Sequence, residues 1–112
     1  MIKDIDADKL LERLEKMGPA INKHAKAKSE RVYIEQYRKS LKAILMSKSN
    51  AKTAVEREQF AYSHKDYLDL INGLKHAVEV EEKCRWSLER LKIEFEMWRT
   101  INANERYQKD RV

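Results

Sequence analysis

Residues that turn or break a polypeptide are scarce in this sequence, which has two glycines and one proline among 112 residues. A β-sheet of this size needs several tight turns, so the scarcity argues against a sheet and favours long helices. Charged side chains supply 38% of the residues and hydrophobic ones 42%, a balance that suits helices with one buried face. We therefore predict a single all-α domain, residues 1–112, of three to four elongated antiparallel helices, including a long C-terminal one.

Cysteine and long apolar runs are scarce as well. Cys84 is the single cysteine, so no disulfide can form within the chain. With no apolar run at the N-terminus, this predicts a reducing, cytoplasmic setting, which would be the host cytoplasm for a phage protein. No stretch approaches the roughly 18 apolar residues of a membrane span, so we expect no membrane partner.

Patterns of catalytic and metal sites are missing too. Gly18 and Gly73 lie too far apart for a phosphate-binding loop, and His76 with Glu79 is the one weak metal-ligand spacing. Cys84 lies among apolar residues, where a thiol usually acts as a small hydrophobic group. We therefore expect no enzyme activity, no cofactor and no metal.

Capping and breaking residues divide the chain into segments. A first helix is expected within residues 1–17, after an N-cap at Asp4 or Asp6, and Gly18-Pro19 should end it. The remaining predicted segments are a basic helix over 19–47, a short helix over 53–62 that opens with the capping box of Thr53 and Glu56, a long helix over 65–104 and a frayed tail over 105–112.

Positive charge is concentrated in one part of the chain. Residues 16–52 contain ten Lys or Arg and two Glu, whereas the net charge of the whole chain is +5. A local basic segment of this kind is typical of a surface that binds a polyanion. The alternative is a helix face that Lys and Arg merely solvate.

The basic segment arranges its charges along a stripe. On a helix, His24, Lys28, Arg31, Glu35, Arg38 and Lys42 recur at spacings of three and four, over roughly 27 Å. Tyr33 and Tyr37 lie nearby. Cations that contact phosphates, with rings that stack on unpaired bases, predict a site for single-stranded nucleic acid. The predicted binding residues are His24, Lys28, Arg31, Tyr33, Arg38, Lys39, Lys42 and Lys48.

The C-terminal helix carries two apolar lines. The main one, a heptad seam interrupted by Glu81, comprises Leu70, Leu74, Ala77, Cys84, Leu88, Leu91, Phe95 and Trp98. A second line comprises Leu68, Trp86, Ile93 and Met97. Because one short chain can cover only one of these faces, we predict a homo-oligomer, with a compact monomeric bundle as the alternative. The predicted oligomer interface is Leu68, Trp86, Leu88, Leu91, Ile93, Phe95, Met97 and Trp98.

The segment INKHAKAKSERVYIEQYRKSLKAIL, residues 21–45, resembles the basic helix of phage recombination mediator proteins of the UvsY type. The similarity rests on Asn22-Lys23-His24, Lys28, Glu30, Ile34-Glu35, Leu41-Lys42-Ala43 and Leu45. That family continues the Leu-Lys-Ala element with a basic residue tied to single-strand binding, where this sequence has Ile44. Only Lys42 carries over, so the resemblance implies a contact that is weaker or displaced towards Arg38, Lys39 and Lys48.

Outside this segment only the order of elements is similar. The resemblance implies a small helical protein that forms a ring-like homo-oligomer and binds single-stranded DNA. It also implies two protein partners, the single-strand-binding protein that covers the DNA and a RecA-like recombinase that the chain helps to load.

Two other classes of function stay open at the level of sequence. The chain could be a small phage protein that binds and inhibits or modulates a host protein, such as a nuclease, without binding DNA. Its acidic stretch 79–96 would then mimic DNA, although the net charge of +5 argues against this. It could also be an assembly protein whose stripe contacts a neighbouring subunit. Salt-dependent binding to an oligonucleotide distinguishes the first hypothesis from both.

Overall fold

Three helices make up nearly all of residues 7–111, the part of the chain that the computed structural model describes. They are α1 (Ala7–Lys48), α2 (Ala54–Ser63) and α3 (Lys65–Arg111). No strand occurs in this range, so the predicted all-α class with a long C-terminal helix is confirmed. The N-caps expected at Asp4 and Asp6 lie outside the described residues.

The break expected at Gly18-Pro19 was wrong, because α1 runs through both residues without interruption. Gly18 does not adopt the positive φ of a helix C′ residue. Pro19 removes one backbone donor, yet Met17 and Ala20 on either side of it are half-buried. Packing of the helix face on both sides of the proline therefore outweighs the local preference to end the helix.

The short helix begins where the capping box predicts. The Glu56 backbone N–H donates to Thr53 Oγ1 at 3.2 Å, and α2 follows from Ala54, within one residue of the expected bounds. At the start of α3, the Asp66 backbone N–H donates to His64 Nδ1 at 3.0 Å. The frayed tail was wrong over 105–111, where α3 continues, because this stretch contains good helix formers and neither Gly nor Pro.

The chain divides into two compact units. The central unit comprises residues 26–82, and the terminal unit comprises the described residues up to 25 and from 83 onward. Each unit contains part of α1 and part of α3.

The core of the central unit is small and lies where all three helices meet. Leu41, Leu45 and Ala61 are buried, and three further side chains pack against them: Met46, Tyr67 and Leu70. Leu45 is only 1% exposed. Residue 31 pairs with residue 81, while residues 41 and 45 pack near 67 and 70, so α1 and α3 run antiparallel in this unit.

The terminal unit buries the predicted main seam of α3. Cys84 and Leu88 are buried, and Leu91, Phe95 and Trp98 are half-buried at spacings of three and four. An ion pair joins Arg13 Nη1 to Glu94 Oε2 at 2.7 Å in the same unit.

The residues of the predicted oligomer interface differ in exposure. Leu88, at 8% exposure, is buried within the chain, whereas Leu91, Phe95 and Trp98 are half-buried along the same seam. Their part in an interface stays a prediction. The second line is exposed, and it comprises Leu68, Trp86, Ile93 and Met97.

Candidate nucleic-acid interface

Arg31, at the centre of the predicted cationic stripe, is neutralised inside the central unit. Its Nε and Nη2 donate to the two carboxylate oxygens of Glu81 at 2.6 and 3.0 Å, and its Nη1 donates to Glu35 at 3.0 Å. Hydrogen bonding to Glu81, opposed by desolvation, raises the pKa of Arg31 well above its ordinary value. Because this geometry occupies the guanidinium donors within the fold, the candidate phosphate-binding surface described below does not include Arg31.

Lys42 is held by an acid and an aromatic ring from α2. Its Nζ lies 3.4 Å from Glu58 Oε1 and 4.9 Å from the centroid of the Tyr62 ring. Side-chain hydrogen bonding to Tyr62, and secondly to Glu58, raises the pKa of Lys42 against the opposing effect of burial. Lys42 is therefore charged at neutral pH, but the carboxylate of Glu58 partly neutralises that charge.

The other predicted binding residues lie in separate environments. His24 is half-buried in the terminal unit, while Lys28 and Lys48 are exposed in the central unit. Tyr33 is exposed and stacks on Tyr37, with ring centroids 6.2 Å apart and planes at 7°.

Tyr33 and Lys42 do not lie on the same face of α1. It lies nine residues before Lys42 on α1, which places the two side chains on opposite sides of the helix. Tyr33 therefore lies apart from Lys42, and its contact with a base stays a prediction. Tyr33 forms an aromatic pair on the other side of α1.

The stripe is not one open surface, because part of it coincides with the buried side of α1. In the central unit the inward positions recur at spacings of three and four: Ala27, Arg31, Ile34, Arg38, Leu41 and Leu45. Arg31 and Arg38 thus share the face that carries the apolar core. Binding along the whole stripe would require every cation to be unpaired. Arg31 and Lys42 do not meet this requirement, because both form ion pairs.

A different concave surface brings cations and aromatic rings together. Arg38 and Lys39 from α1 join Lys42, Tyr62 and Tyr67 around a cleft of about 290 Å³. We call these five residues the basic–tyrosine cleft. Tyr62 and Tyr67 meet edge to face at 5.2 Å between centroids, which fixes the orientation of both rings.

Local structure explains why the cleft forms. The Thr53 cap starts α2, and burial of Ala61 against Leu41 and Leu45 brings the end of α2 onto α1. Tyr62 follows Ala61 directly, so its ring lies beside the cations of α1. Tyr62 is 44% exposed, which leaves ring surface available to a ligand.

The cations at the cleft differ in whether a carboxylate pairs with them. Among the described residues, Arg38 and Lys39 take part in no ion pair, whereas Lys42 pairs with Glu58. The two unpaired cations can bind an anionic group, and the ring of Tyr62 can stack on a planar one. Sequence reasoning included Arg38, Lys39 and Lys42 but missed Tyr62 and Tyr67, since only the packing of α2 places those rings near α1.

Features of other site classes are absent from residues 7–111. No group of three or more His, Cys, Asp or Glu side chains there is arranged to hold a metal ion. No helix in the same range combines the length and apolar character required to cross a bilayer.

Comparison with known proteins gives no relative: no protein-family model, curated protein or solved structure matches this chain.

Proposed function

We propose that this protein binds single-stranded nucleic acid at the basic–tyrosine cleft. The observation that carries the proposal is the juxtaposition of two unpaired cations, Arg38 and Lys39, with the exposed ring of Tyr62. Flexible single strands present phosphates and unstacked bases together, and this pair of group types recognises both. A duplex keeps its bases stacked, so the tyrosine would contribute little to binding it.

In the proposed mechanism each cleft residue has a role. Arg38 and Lys39 neutralise phosphates and release their counterions, and Tyr62 stacks on one base. Lys42 adds positive potential, and Glu58 limits how closely a phosphate approaches it. Arg31 is excluded from binding because Glu81 and Glu35 occupy its donors.

The cleft changes the salt dependence expected from the sequence. Five neutralised phosphates along an open stripe would give a log–log slope of roughly −3.5 per protomer. With about three cations in the cleft, the slope should be roughly −2. A salt titration therefore distinguishes binding at the cleft from binding along the whole stripe.

The resemblance of residues 21–45 to UvsY-type mediators supports a more specific role. We place the protein among recombination accessory factors that help load a RecA-like recombinase on single-stranded DNA covered by single-strand-binding protein. Lys42, the residue that carries over from the family pattern, lies in the cleft. Stimulation of recombinase filament formation on covered DNA, by the parent protein but not by a cleft variant, would support this role.

The direct test is binding of a fluorescent oligothymidylate, measured by anisotropy at two salt concentrations. The variant is Arg38→Glu/Lys39→Glu, which reverses the two unpaired cations. The matched control is Lys26→Glu/Lys75→Glu, which makes the same charge change at exposed positions of the central unit away from the cleft. We expect the cleft variant to lose at least tenfold in affinity and the control to lose much less.

Tyr62 provides a second, charge-neutral test of the same site. Tyr62→Ala should weaken binding by roughly five- to a hundredfold, since base stacking contributes about 1–3 kcal/mol, whereas Tyr62→Phe should retain most of it. Equal affinity of the cleft variant and the parent would overturn the proposal, provided circular dichroism shows the same helix content in both.

A further inference from the structure

Lys42 is the one cation of the basic–tyrosine cleft that has an acidic partner among the described residues. Its Nζ lies 3.4 Å from Oε1 of Glu58 on α2, whereas Arg38 and Lys39 take part in no ion pair. An ionised carboxylate carries one negative charge and offers only acceptor oxygens, as a phosphodiester does. Glu58 therefore occupies the place beside Lys42 that a phosphate of a bound strand would take.

The pair of Lys42 and Glu58 is loosely held, as a comparison with the pair of Arg31 and Glu81 shows. Arg31 donates twice to Glu81, at 2.6 and 3.0 Å, but Lys42 makes a single contact with Glu58 at 3.4 Å, longer than the usual charge-assisted bond. The Glu58 side chain is 47% exposed and that of Glu81 only 14%. Exposed pairs contribute little to stability, so Lys42 can exchange its partner while Arg31 keeps its own.

The ring of Tyr62 keeps the ammonium of Lys42 beside the stacking site. Lys42 Nζ lies 4.9 Å from the centroid of that ring, and the edge-to-face contact with Tyr67 fixes the orientation of the ring. A nucleotide whose base stacks on Tyr62 therefore brings an adjoining phosphate close to Lys42. That phosphate and the carboxylate of Glu58 would compete for the same ammonium group.

We propose that Glu58 is a displaceable competitor of the strand: it holds Lys42 in the free protein and is exchanged for a phosphate when nucleic acid binds. This inference rests on the proposed function of the cleft and adds how the affinity of that site is set. Breaking the ion pair offsets part of the free energy that the phosphate contact supplies. The displaced carboxylate also stays close to the strand and repels it, so Glu58 lowers the affinity of the cleft.

Glu58→Gln tests the competition, because it removes the charge and keeps the size of the side chain. The variant should bind oligothymidylate roughly two- to fivefold more tightly than the parent, the range that the small contribution of an exposed ion pair allows. Glu56→Gln is the matched control, since it makes the same charge change at an exposed position of α2, about 200° around the helix. Its affinity should stay close to that of the parent. A Glu58→Gln variant that binds no more tightly than the parent overturns the inference.

A double-mutant cycle with Lys42→Met separates competition for Lys42 from general repulsion of the strand. Methionine keeps an unbranched side chain and removes the ammonium group, so Glu58 has no cation left to withhold. In the Lys42→Met background, the gain from Glu58→Gln should shrink to that of the Glu56→Gln control. An equal gain in both backgrounds would mean that Glu58 acts only by repulsion, and the exchange would be refuted.

Salt dependence reports whether Lys42 reaches a phosphate in the complex. Glu58→Gln should keep the log–log slope of the parent, whereas Lys42→Met should make it shallower by roughly 0.7, the loss of one phosphate contact. An unchanged slope in Lys42→Met overturns the exchange.

Failure of the proposed function gives a different result from failure of this inference. If Arg38→Glu/Lys39→Glu binds as tightly as the parent, the cleft is not the binding site and both proposals fall. If that variant loses affinity while Glu58→Gln equals the parent, the cleft remains the site and only the exchange is overturned.

Discussion

Arg31 and Glu81 are charged residues at inward, otherwise apolar positions of two different helices, and each accounts for the presence of the other. Glu81 interrupts the apolar seam of α3, and Arg31 lies on the inward face of α1. In the folded chain they form a part-buried bidentate pair at 2.6 and 3.0 Å. A charged residue within an apolar seam thus indicated an opposite charge on the facing helix. We infer that this pair sets the register of the two helices more than it adds stability.

This interpretation predicts that removing one charge of the pair lowers stability more than removing both. Glu81→Gln should lower the urea midpoint because it weakens the charge-assisted pair while Arg31 remains part-buried. Replacing both residues by methionine, in Arg31→Met/Glu81→Met, should restore the midpoint towards that of the parent, since no buried charge is left. Both midpoints are measured by circular dichroism.

Glu89→Gln is the control for this experiment, because it breaks the exposed pair with Lys92. Exposed pairs contribute little, so its midpoint should hardly change. A double methionine variant that is less stable than Glu81→Gln would show that the pair adds net stability beyond fixing the register.

At the scale of the element, helix continuity depends on packing more than on local preference. The sequence correctly indicated the start of α2, because the Thr53 cap depends only on residues within one turn. It incorrectly ended a helix at Gly18-Pro19, where α1 continues with Met17 and Ala20 half-buried. Local signals are thus reliable where no distant contact competes with them.

Glycines inside the long helices provide a prediction at this scale. Gly73 lies within α3, and a Cβ added there meets nothing within 4 Å. Gly73→Ala should therefore stabilise the protein by about 0.5–1 kcal/mol, because alanine loses less backbone entropy in a helix. The measurement is the thermal midpoint, which should rise by a few degrees.

Gly18 is the contrasting position for that experiment, because it directly precedes Pro19 inside α1, and a proline ring crowds the Cβ of a helical residue before it. Gly18→Ala should therefore raise the thermal midpoint less than Gly73→Ala does, or lower it. If Gly73→Ala lowered the midpoint, that glycine would have a role that an uninterrupted helix does not explain.

At the scale of the whole molecule, the two compact units carry different surfaces. The basic–tyrosine cleft belongs to the central unit, and the exposed side chains of Trp86, Ile93 and Met97 belong to the terminal unit. The homo-oligomer predicted from the sequence would give each assembly at least two clefts. A long single strand could then occupy more than one cleft, which raises its effective affinity without any new type of contact.

Oligonucleotide length distinguishes the contribution of each surface. Ile93→Glu should lower the affinity for a long oligothymidylate by roughly tenfold or more, because avidity is lost. Affinity for an oligonucleotide too short to reach two clefts should stay near the parent value. Both are measured by anisotropy at one salt concentration. If the variant lost affinity equally for both lengths, Ile93 itself, or the fold, would be involved in contacting the strand.

The sequence alone determined that this chain is helical, where α2 begins, that α3 carries two apolar lines and where positive charge concentrates. These properties follow from periodicity, capping and composition, which are local. The tertiary structure decided which cations remain unpaired, because a partner such as Glu81 is brought beside Arg31 from fifty residues away. It also decided that Tyr62 joins Arg38 and Lys39, because only the packing of Ala61 against Leu41 and Leu45 carries the end of α2 onto α1.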